Sequence, residues 1–352
     1  MRACNVLITA ASRRVPLVQA FQAALRNGPS CGIVVATDIS AYSPAVHVAD
    51  RAYRVPLASE PGYVDTLLAL CDAEQISLFV PTIDDELPVC GAAIESFLAR
   101  GVFPACSSAT TALVCNDKRV TCGVLRMKGL PAAATWLPEE LPEQLAFPLF
   151  IKPRVGRGAV GAFPVRNARE LAFFLDYVET PVVQEYLDGP EFTIDVLCDA
   201  GGRPLSIVPR ERVVIRSGVI DRGRTVKSAA LIDLAADVCE ALTFVGPLNI
   251  QCRMRDGVPT IFEVNPRFSG GIPLTIAAGA DFPRMLVDMA SGLPQMPRIG
   301  DFRDDLWISK FEAAVFLPGS GLELPQVTTP PAAVAAPVPV SVPVSVPVGE
   351  VA

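Results

Sequence analysis

Phe150-Ile-Lys-Pro-Arg-Val-Gly-Arg-Gly-Ala-Val-Gly161 runs straight into Ala162-Phe163-Pro164-Val165. The span from Gly156 to Gly161 spells G-x-G-x-x-G, a pattern that in a dinucleotide site must open a helix whose N-terminus receives the pyrophosphate. Pro164 would break such a helix in its first turns. The stretch therefore reads as strand, loop, strand. A glycine-rich loop between two strands can fold over a triphosphate with its backbone N–H groups aimed at the oxygens, while Lys152 supplies charge from the adjoining strand. A nicotinamide oxidoreductase is set aside on the same ground.

On the N-terminal side, residues 4–10 (CNVLITA) form a short apolar run, followed by Ala11-Ser12-Arg13-Arg14 and by Val15, Val18, Phe21 and Leu25 at helical spacing. GIVVAT ends at Asp38, a helix is expected near 62–73, and the strand SLFVP at 77–81 leads into Thr82-Ile83-Asp84-Asp85-Glu86. Strands alternating with helices predict a parallel sheet, with ligands beyond the carboxyl ends of its strands. Ser12, Arg13 and Arg14 at one such end could hold an anion. Asp84, Asp85 and Glu86 lie at another, and for both loops solvated, helix-capping charge is the equal alternative.

On the C-terminal side the texture changes from about residue 113. A helix near 117–128 precedes strands at 148–153, 162–165, 182–186, 191–199 and 205–216, two of them joined by a hairpin at Gly201-Gly202. A helix near 230–243 follows, and then NIQCRM and TIFEVN meet across Asp256-Gly257, a strong hairpin signal. This half reads as α+β with mainly antiparallel strands. From about Pro325 proline recurs at nearly every second or third position, which forbids helix or central strand and predicts a mobile polyproline-like tail.

Glu263-Val-Asn-Pro-Arg267 ends the second hairpin strand. Residues two apart share a face, so Glu263, Asn265 and, if the strand continues through Pro266, Arg267 point the same way. Pro266 also marks a strand not hydrogen-bonded on both sides. Gln251 and Glu263 each lie about six residues from the Asp256-Gly257 turn, so pairing brings them together. Oxygen donors without Cys or His suit a hard cation such as Mg²⁺ that also binds phosphate oxygens.

The composition is that of a globular chain: 352 residues, 51% hydrophobic and 19% charged. Its 30 basic and 37 acidic side chains give a formal charge of −7, with no basic block to follow a phosphate backbone, so nucleic acid is not an expected partner. The ten cysteines include no C-x-x-C pair and read as buried thiols in a reducing cytoplasm. His47 is the single histidine, which disfavours His-centred catalysis. No window offers the ~20 apolar residues of a membrane span, and the apolar start reads as a core strand, not a signal peptide.

Taken together, the Lys-Pro strand, the glycine loop and the E-x-N-x-R motif closely resemble the ATP-grasp superfamily, in particular stand-alone proteins similar to the large subunit of carbamoyl phosphate synthetase. The resemblance covers roughly residues 1–310 and implies an ATP-grasp fold of mixed α/β and α+β class. It implies a Rossmann-like subdomain over 1–112, a lid over 113–187, a catalytic subdomain over 188–318 and a Pro-rich flexible tail over 319–352. Lys118 and Lys152 look like the two ATP-binding cations, beside the loop glycines Gly156, Gly158 and Gly161. Glu185, Tyr186 and Leu187 resemble the hinge that meets the adenine, and Glu191 the acid that binds the ribose. Gln251, Glu263 and Asn265 correspond to magnesium ligands, and Arg267 to the residue that stabilises the phosphoryl transition state. The loop departs from the pattern, carrying Arg157 and Ala159 where relatives often have serines.

The resemblance implies ATP and Mg²⁺ as cofactors, small-molecule carboxylate and amine substrates, and admits a homodimer. The expected reaction phosphorylates a carboxylate to an acyl phosphate, which a nucleophile then displaces. Arg210 and Arg212, two apart on one strand, and Arg216, Arg224 and Lys227 beyond them are candidates to hold the carboxylate or acyl phosphate, with Arg212 joining Lys152 and Arg267 as a catalytic cation. Exposed surface charge is the alternative for this group. Two other functions compete: phosphorylation of bicarbonate or carbamate, and ATP-binding regulation without turnover. The chain is too short for the duplicated synthetase arrangement, so carbamoyl phosphate synthesis itself is not expected.

Overall fold

The computed structural model describes residues 3–317, 319 and 322–327. Its first sheet is parallel, in the order β3-β2-β1-β4-β5, from β1 (Asn5–Ile8), β2 (Val34–Asp38), β3 (Arg51–Arg54), β4 (Ile76–Val80) and β5 (Phe103–Pro104). Helices α1 (Val15–Arg26), α2 (Tyr63–Ala73), α3 (Leu87–Ala92) and α4 (Ile94–Leu98) connect these strands. Every residue of β2 is buried, as expected of a parallel strand covered on both faces.

Helices α5 (Ala109–Asn116) and α6 (Lys118–Met127) lead to a small antiparallel sheet ordered β6-β9-β7-β8. It comprises β6 (Thr135–Trp136), β7 (Leu149–Pro153), β8 (Phe163–Val165) and β9 (Pro181–Glu185), with α7 (Ala168–Tyr177) between the last two. Ile151 pairs with Phe163 across the glycine loop, so the G-x-G-x-x-G stretch joins two strands and opens no helix. Leu149, Ile151, Val165, Leu171, Val178 and Val183 form a separate small core beneath this sheet.

The third sheet has six strands, ordered β14-β13-β10-β11-β12-β15. They are β10 (Glu191–Cys198), β11 (Pro204–Arg216), β12 (Val219–Thr225), β13 (Gly246–Arg255), β14 (Val258–Asn265) and β15 (Trp307–Ser309), accompanied by α8 (Ala229–Ala241), α9 (Ile272–Ala277) and α10 (Phe282–Ala290). Strand alternation divides β10 between two surroundings. Phe192, Ile194, Val196 and Cys198 pack with Leu231, Leu234, Ala235 and Val238 of α8, whereas Glu191, Thr193 and Asp195 point to the opposite, polar face. Beyond that polar region, Leu197, Leu205, Val208 and Phe268 share one core with β1, β2 and α1, so the first and third sheets are joined through buried apolar contacts.

The proline-rich end is expected to be mobile, but its described part is anchored. Pro325 O accepts a 2.9 Å hydrogen bond from Arg54 N, and Gln326 bridges to Arg54 in parallel. A proline can fill this place because the open edge of β3 needs only an acceptor from it. The expectation for residues 328–352 lies outside the described residues.

Candidate active site

The site is built on the polar face of the third sheet, where register aligns side chains in rows. One row runs Glu263, Gln251, Thr193, Arg210 and Thr225 across neighbouring strands, and the next runs Asn265, Asn249 and Asp195. The turn at Asp256-Gly257, both with positive φ, closes the hairpin that sets Gln251 opposite Glu263. Asn265 Nδ2 donates to Glu263 Oε1 at 3.0 Å, and buried Asn249 donates to Arg267 O at 3.0 Å.

A β-bulge between Gln251 and Cys252 leaves Phe262 without a cross-strand partner. Its carbonyl accepts from Lys152 Nζ at 3.2 Å, and the same ammonium lies 5.2 Å from the Phe262 ring centroid. Burial pulls Lys152 down from 10.5 to about 8, with Glu263 opposing the shift. The ammonium is thus held charged at neutral pH in a dry place, where a phosphate oxygen would interact with it far more strongly than in water. Lys118 opens α6 after Asp117, whose carboxylate caps the helix by accepting from Arg119 N and Val120 N. Lys118 Nζ donates to Gly156 O at 2.8 Å, bringing the first expected cation against the glycine loop.

Strand β14 ends at Asn265, so Arg267 does not continue its face; the chain turns, and Arg267 N donates to Asn265 O at 2.8 Å. Pro266 has no N–H to extend the ladder, which accounts for the turn. The Arg267 guanidinium still reaches Asn265 Oδ1 at 3.3 Å and is held at 2.7 Å by Asp84, from the loop after β4. That loop is divided in its use. Glu86 is fully buried and accepts from Thr82 N, Ile83 N and Tyr63 Oη, while burial pushes its carboxyl above the usual range. Asp85 pairs with Arg157 of the glycine loop.

The loop after β1 is committed internally. Ser12 N donates to Asp38 at 2.8 Å, so the anion it holds is the protein's own. Arg14 donates to Thr82 O at 2.7 Å and Phe268 O at 3.2 Å, tying the first sheet to the segment that follows Arg267.

The five cations of and beyond β11 separate clearly. Arg210 is 1% exposed and bonded to both oxygens of Asp195 and to Ser269, with Thr275 also donating to Asp195 Oδ2, so it is a core ion pair out of reach of a substrate. Arg212 contacts Glu191 at 2.5 Å, Gln251 Oε1 at 3.1 Å and Gly218 O at 2.6 Å, beside the expected metal ligands. Arg216 meets exposed Glu312, Arg224 pairs with Glu211 and Asp305, and Lys227 lies over Phe302; these three stand apart from the cluster.

At the expected nucleotide end, Glu191 takes both Arg212 and Arg253, the latter at 2.6 Å. Glu185 accepts from Ala134 N at 2.8 Å and pairs with Arg255. Tyr186 is partly exposed, and Leu187 is buried with its carbonyl near Arg253. Asn249 and Arg253 are functional residues that the sequence reading does not name, although hairpin register points to both; Asp84 stands in a named candidate loop, but its pairing with Arg267, 183 positions away, has no sequence signal.

Among the described residues, no group of three or more His, Cys, Asp or Glu side chains could hold a metal. One carboxylate and two amides nevertheless fit Mg²⁺, which is bound by few protein oxygens together with substrate phosphates. Gln251 already presents its oxygen toward Arg212, whereas Asn265 presents nitrogen to Glu263 and must rotate its amide to offer oxygen there.

A family model described as ATP-grasp in the biosynthetic pathway with Ter operon matches residues 178–314, and one described as PylC-like, N-terminal domain matches residues 6–105. Carbamoyl phosphate synthase large chain from Thermomicrobium roseum is 26% identical over 316 residues, 82% of this chain and 28% of that protein. The arginine-specific large chain from Geobacillus stearothermophilus is 28% identical over 142 residues, 37% of this chain and 14% of that protein. The chain thus spans only a small part of these relatives' length. The biotin carboxylase domain of Hydrogenobacter thermophilus 2-oxoglutarate carboxylase, solved with MgADP, ADP and bicarbonate, superimposes with TM-score 0.68 at 16% identity, covering 87% of this chain and 74% of that one. L-amino acid ligase from Bacillus licheniformis gives TM-score 0.65 at 21% identity, covering 84% and 76%. The chain has an ATP-grasp fold, its residues 178–314 match an ATP-grasp family model, and it is similar in sequence to the large chain of carbamoyl phosphate synthase. No helix among its described residues is long and apolar enough to cross a membrane.

Proposed function

We propose that this protein is an ADP-forming ligase that phosphorylates a small carboxylate with ATP and transfers the acyl group to an amine. The observation that carries the reading is the gathering of Lys152, Gln251, Glu263, Asn265 and Arg267 around the end of one β-hairpin, with Lys118 against the glycine loop.

In this reading Lys118 and Lys152 bind the phosphates, and the loop N–H groups around Gly156, Gly158 and Gly161 orient them. Gln251, Glu263 and Asn265 hold magnesium, which when bound neutralises charge on the phosphate oxygens. Arg267, oriented by Asp84, meets the charge of the transferred phosphoryl group, and Arg212 holds the substrate carboxylate or the acyl phosphate. The carboxylate oxygen attacks the γ-phosphorus and ADP leaves; the amine then attacks the acyl carbon and phosphate leaves. Positioning and charge neutralisation suffice for the first step, so no histidine or serine nucleophile is required.

The adenine contacts assigned to Glu185, Tyr186 and Leu187, and the ribose contact of Glu191, belong to this proposal. So do the division at 1–112, 113–187, 188–318 and 319–352, a homodimeric state and a cytoplasmic location. The three separate sheets support the division, and the free thiols support a reducing compartment.

Similarity to carbamoyl phosphate synthase and to a carboxylase domain solved with bicarbonate favours a second reading, in which bicarbonate or carbamate is the acid. ADP release from Mg-ATP, screened against amino acids, other small carboxylates and bicarbonate with and without amines, tests both. Release requiring an acid and an amine, with an amide product by mass, supports the ligase; release with bicarbonate alone supports the second reading. Tight ATP binding without release in any pool counts against both and favours a regulator.

A further inference from the structure

The proposed reaction leaves the guanidinium on the glycine loop without a task. Arg157 follows Gly156, whose carbonyl is held by Lys118, and precedes Gly158, which lies against the β11–β12 turn. A Cβ on Gly218 would stand 2.8 Å from Gly158 C, so glycine at 218 permits the close approach of that turn. Arg212 holds the same turn through Gly218 O at 2.6 Å. The backbone carrying Arg157 is therefore fixed between Lys118 and the turn gripped by Arg212, while its side chain reaches out to Asp85.

Two neighbouring acids hold two arginines in different ways. The Asp84–Arg267 side chains are 12% and 13% exposed, whereas those of Asp85 and Arg157 are 53% and 47% exposed. An exposed pair contributes little and exchanges readily for a stronger partner, whereas separating a largely buried pair leaves a poorly solvated charge behind. Arg157 is thus the arginine free to change partners when a polyanion enters. It also sits in a loop whose Ala159 offers no hydroxyl to a phosphate.

We propose that Arg157 is a triphosphate-binding residue for which Asp85 is the resting partner. On nucleotide entry the guanidinium leaves Asp85 and binds the terminal phosphate oxygens, supplying contacts that the loop's missing hydroxyls do not. Arginine suits the role because its planar fork can donate two hydrogen bonds to one phosphate. The inference rests on the ATP-binding reading of the site, and the test separates the two.

The test is calorimetric titration of the full chain, Arg157→Ala, Asp85→Asn and the double variant, each with Mg²⁺ and the non-hydrolysable triphosphate AMPPNP, and separately with AMP. Arg157→Ala should weaken AMPPNP binding roughly tenfold or more, the range of a hydrogen bond to a charged group, and leave AMP within about twofold. Asp85→Asn should tighten AMPPNP by up to about fivefold, and that gain should vanish in the double variant. If the full chain binds AMPPNP and Arg157→Ala binds it equally well, the proposal for Arg157 is overturned while the ATP reading stands. If the full chain binds neither nucleotide, both fall.

Discussion

Replacing Lys152 by methionine should stabilise the ligand-free protein while removing its grip on the triphosphate. The side chain is 6% exposed, and burial lowers its pKa from 10.5 to about 8. Because the folded value lies below the unfolded one, the cost of the buried charge is present in full below about pH 8 and is relieved as pH rises toward 10.5. At about 1.4 kcal/mol per pH unit, the gap is worth roughly 3 kcal/mol at neutral pH. Methionine keeps the volume but loses the bond to Phe262 O and the contact with its ring, about 1–2 kcal/mol in return. The variant should therefore be more stable by roughly 1–2 kcal/mol at pH 7, and this advantage should shrink as pH is raised from 8 to 9.5. Urea unfolding of both proteins at pH 7, 8, 9 and 9.5 reads the difference, and thiols common to both cancel. A variant that is less stable at pH 7, with a gap unchanged across the series, would mean that the Lys152 ammonium carries no burial cost.

The buried thiols work in the opposite direction. Burial pushes Cys4 up to about 11 and Cys71, Cys106 and Cys252 up to about 12, so the folded state keeps protons that the unfolded chain releases, and overall stability should fall as pH rises above about 9. Thermal unfolding across pH 8–10.5 should show a midpoint that declines above pH 9, and a flat profile would count against it. Arg210→Ala should destabilise the fold by about 3–5 kcal/mol by stranding Asp195 in a site where both partners are 1% exposed. Its effect should appear in the unfolding midpoint, and a marginal change there would mean that the pair is not buried in solution.

Much of the fold is legible because single residues forbid alternatives. Pro164 excludes a helix after the glycines, and Asp256-Gly257 fixes a turn whose register places Gln251 opposite Glu263. What period-2 reasoning lacks is depth and interruption. It places Arg210 and Arg212 on one face, yet Arg210 is buried against Asp195 and Ser269 while Arg212 reaches Gln251. The depth of a row depends on segments that arrive later in the chain. The bulge that frees the Phe262 carbonyl for Lys152 has no marker in Thr260-Ile-Phe-Glu263. Arg267 leaves the expected face because Pro266 ends the ladder, and its partner Asp84 comes from another sheet's loop, a juxtaposition set by tertiary packing alone.

The most direct test of the central claim compares ADP release from Mg-ATP by the native chain and by Glu263→Gln, using the acid and amine that give the highest rate in the substrate screen. Release should require both substrates and fall at least about 100-fold in the variant, with the far-UV circular dichroism of the folded chain unchanged, because the oxygen that would hold magnesium has lost its charge. Equal release by the two proteins, or release independent of any acid, would contradict it.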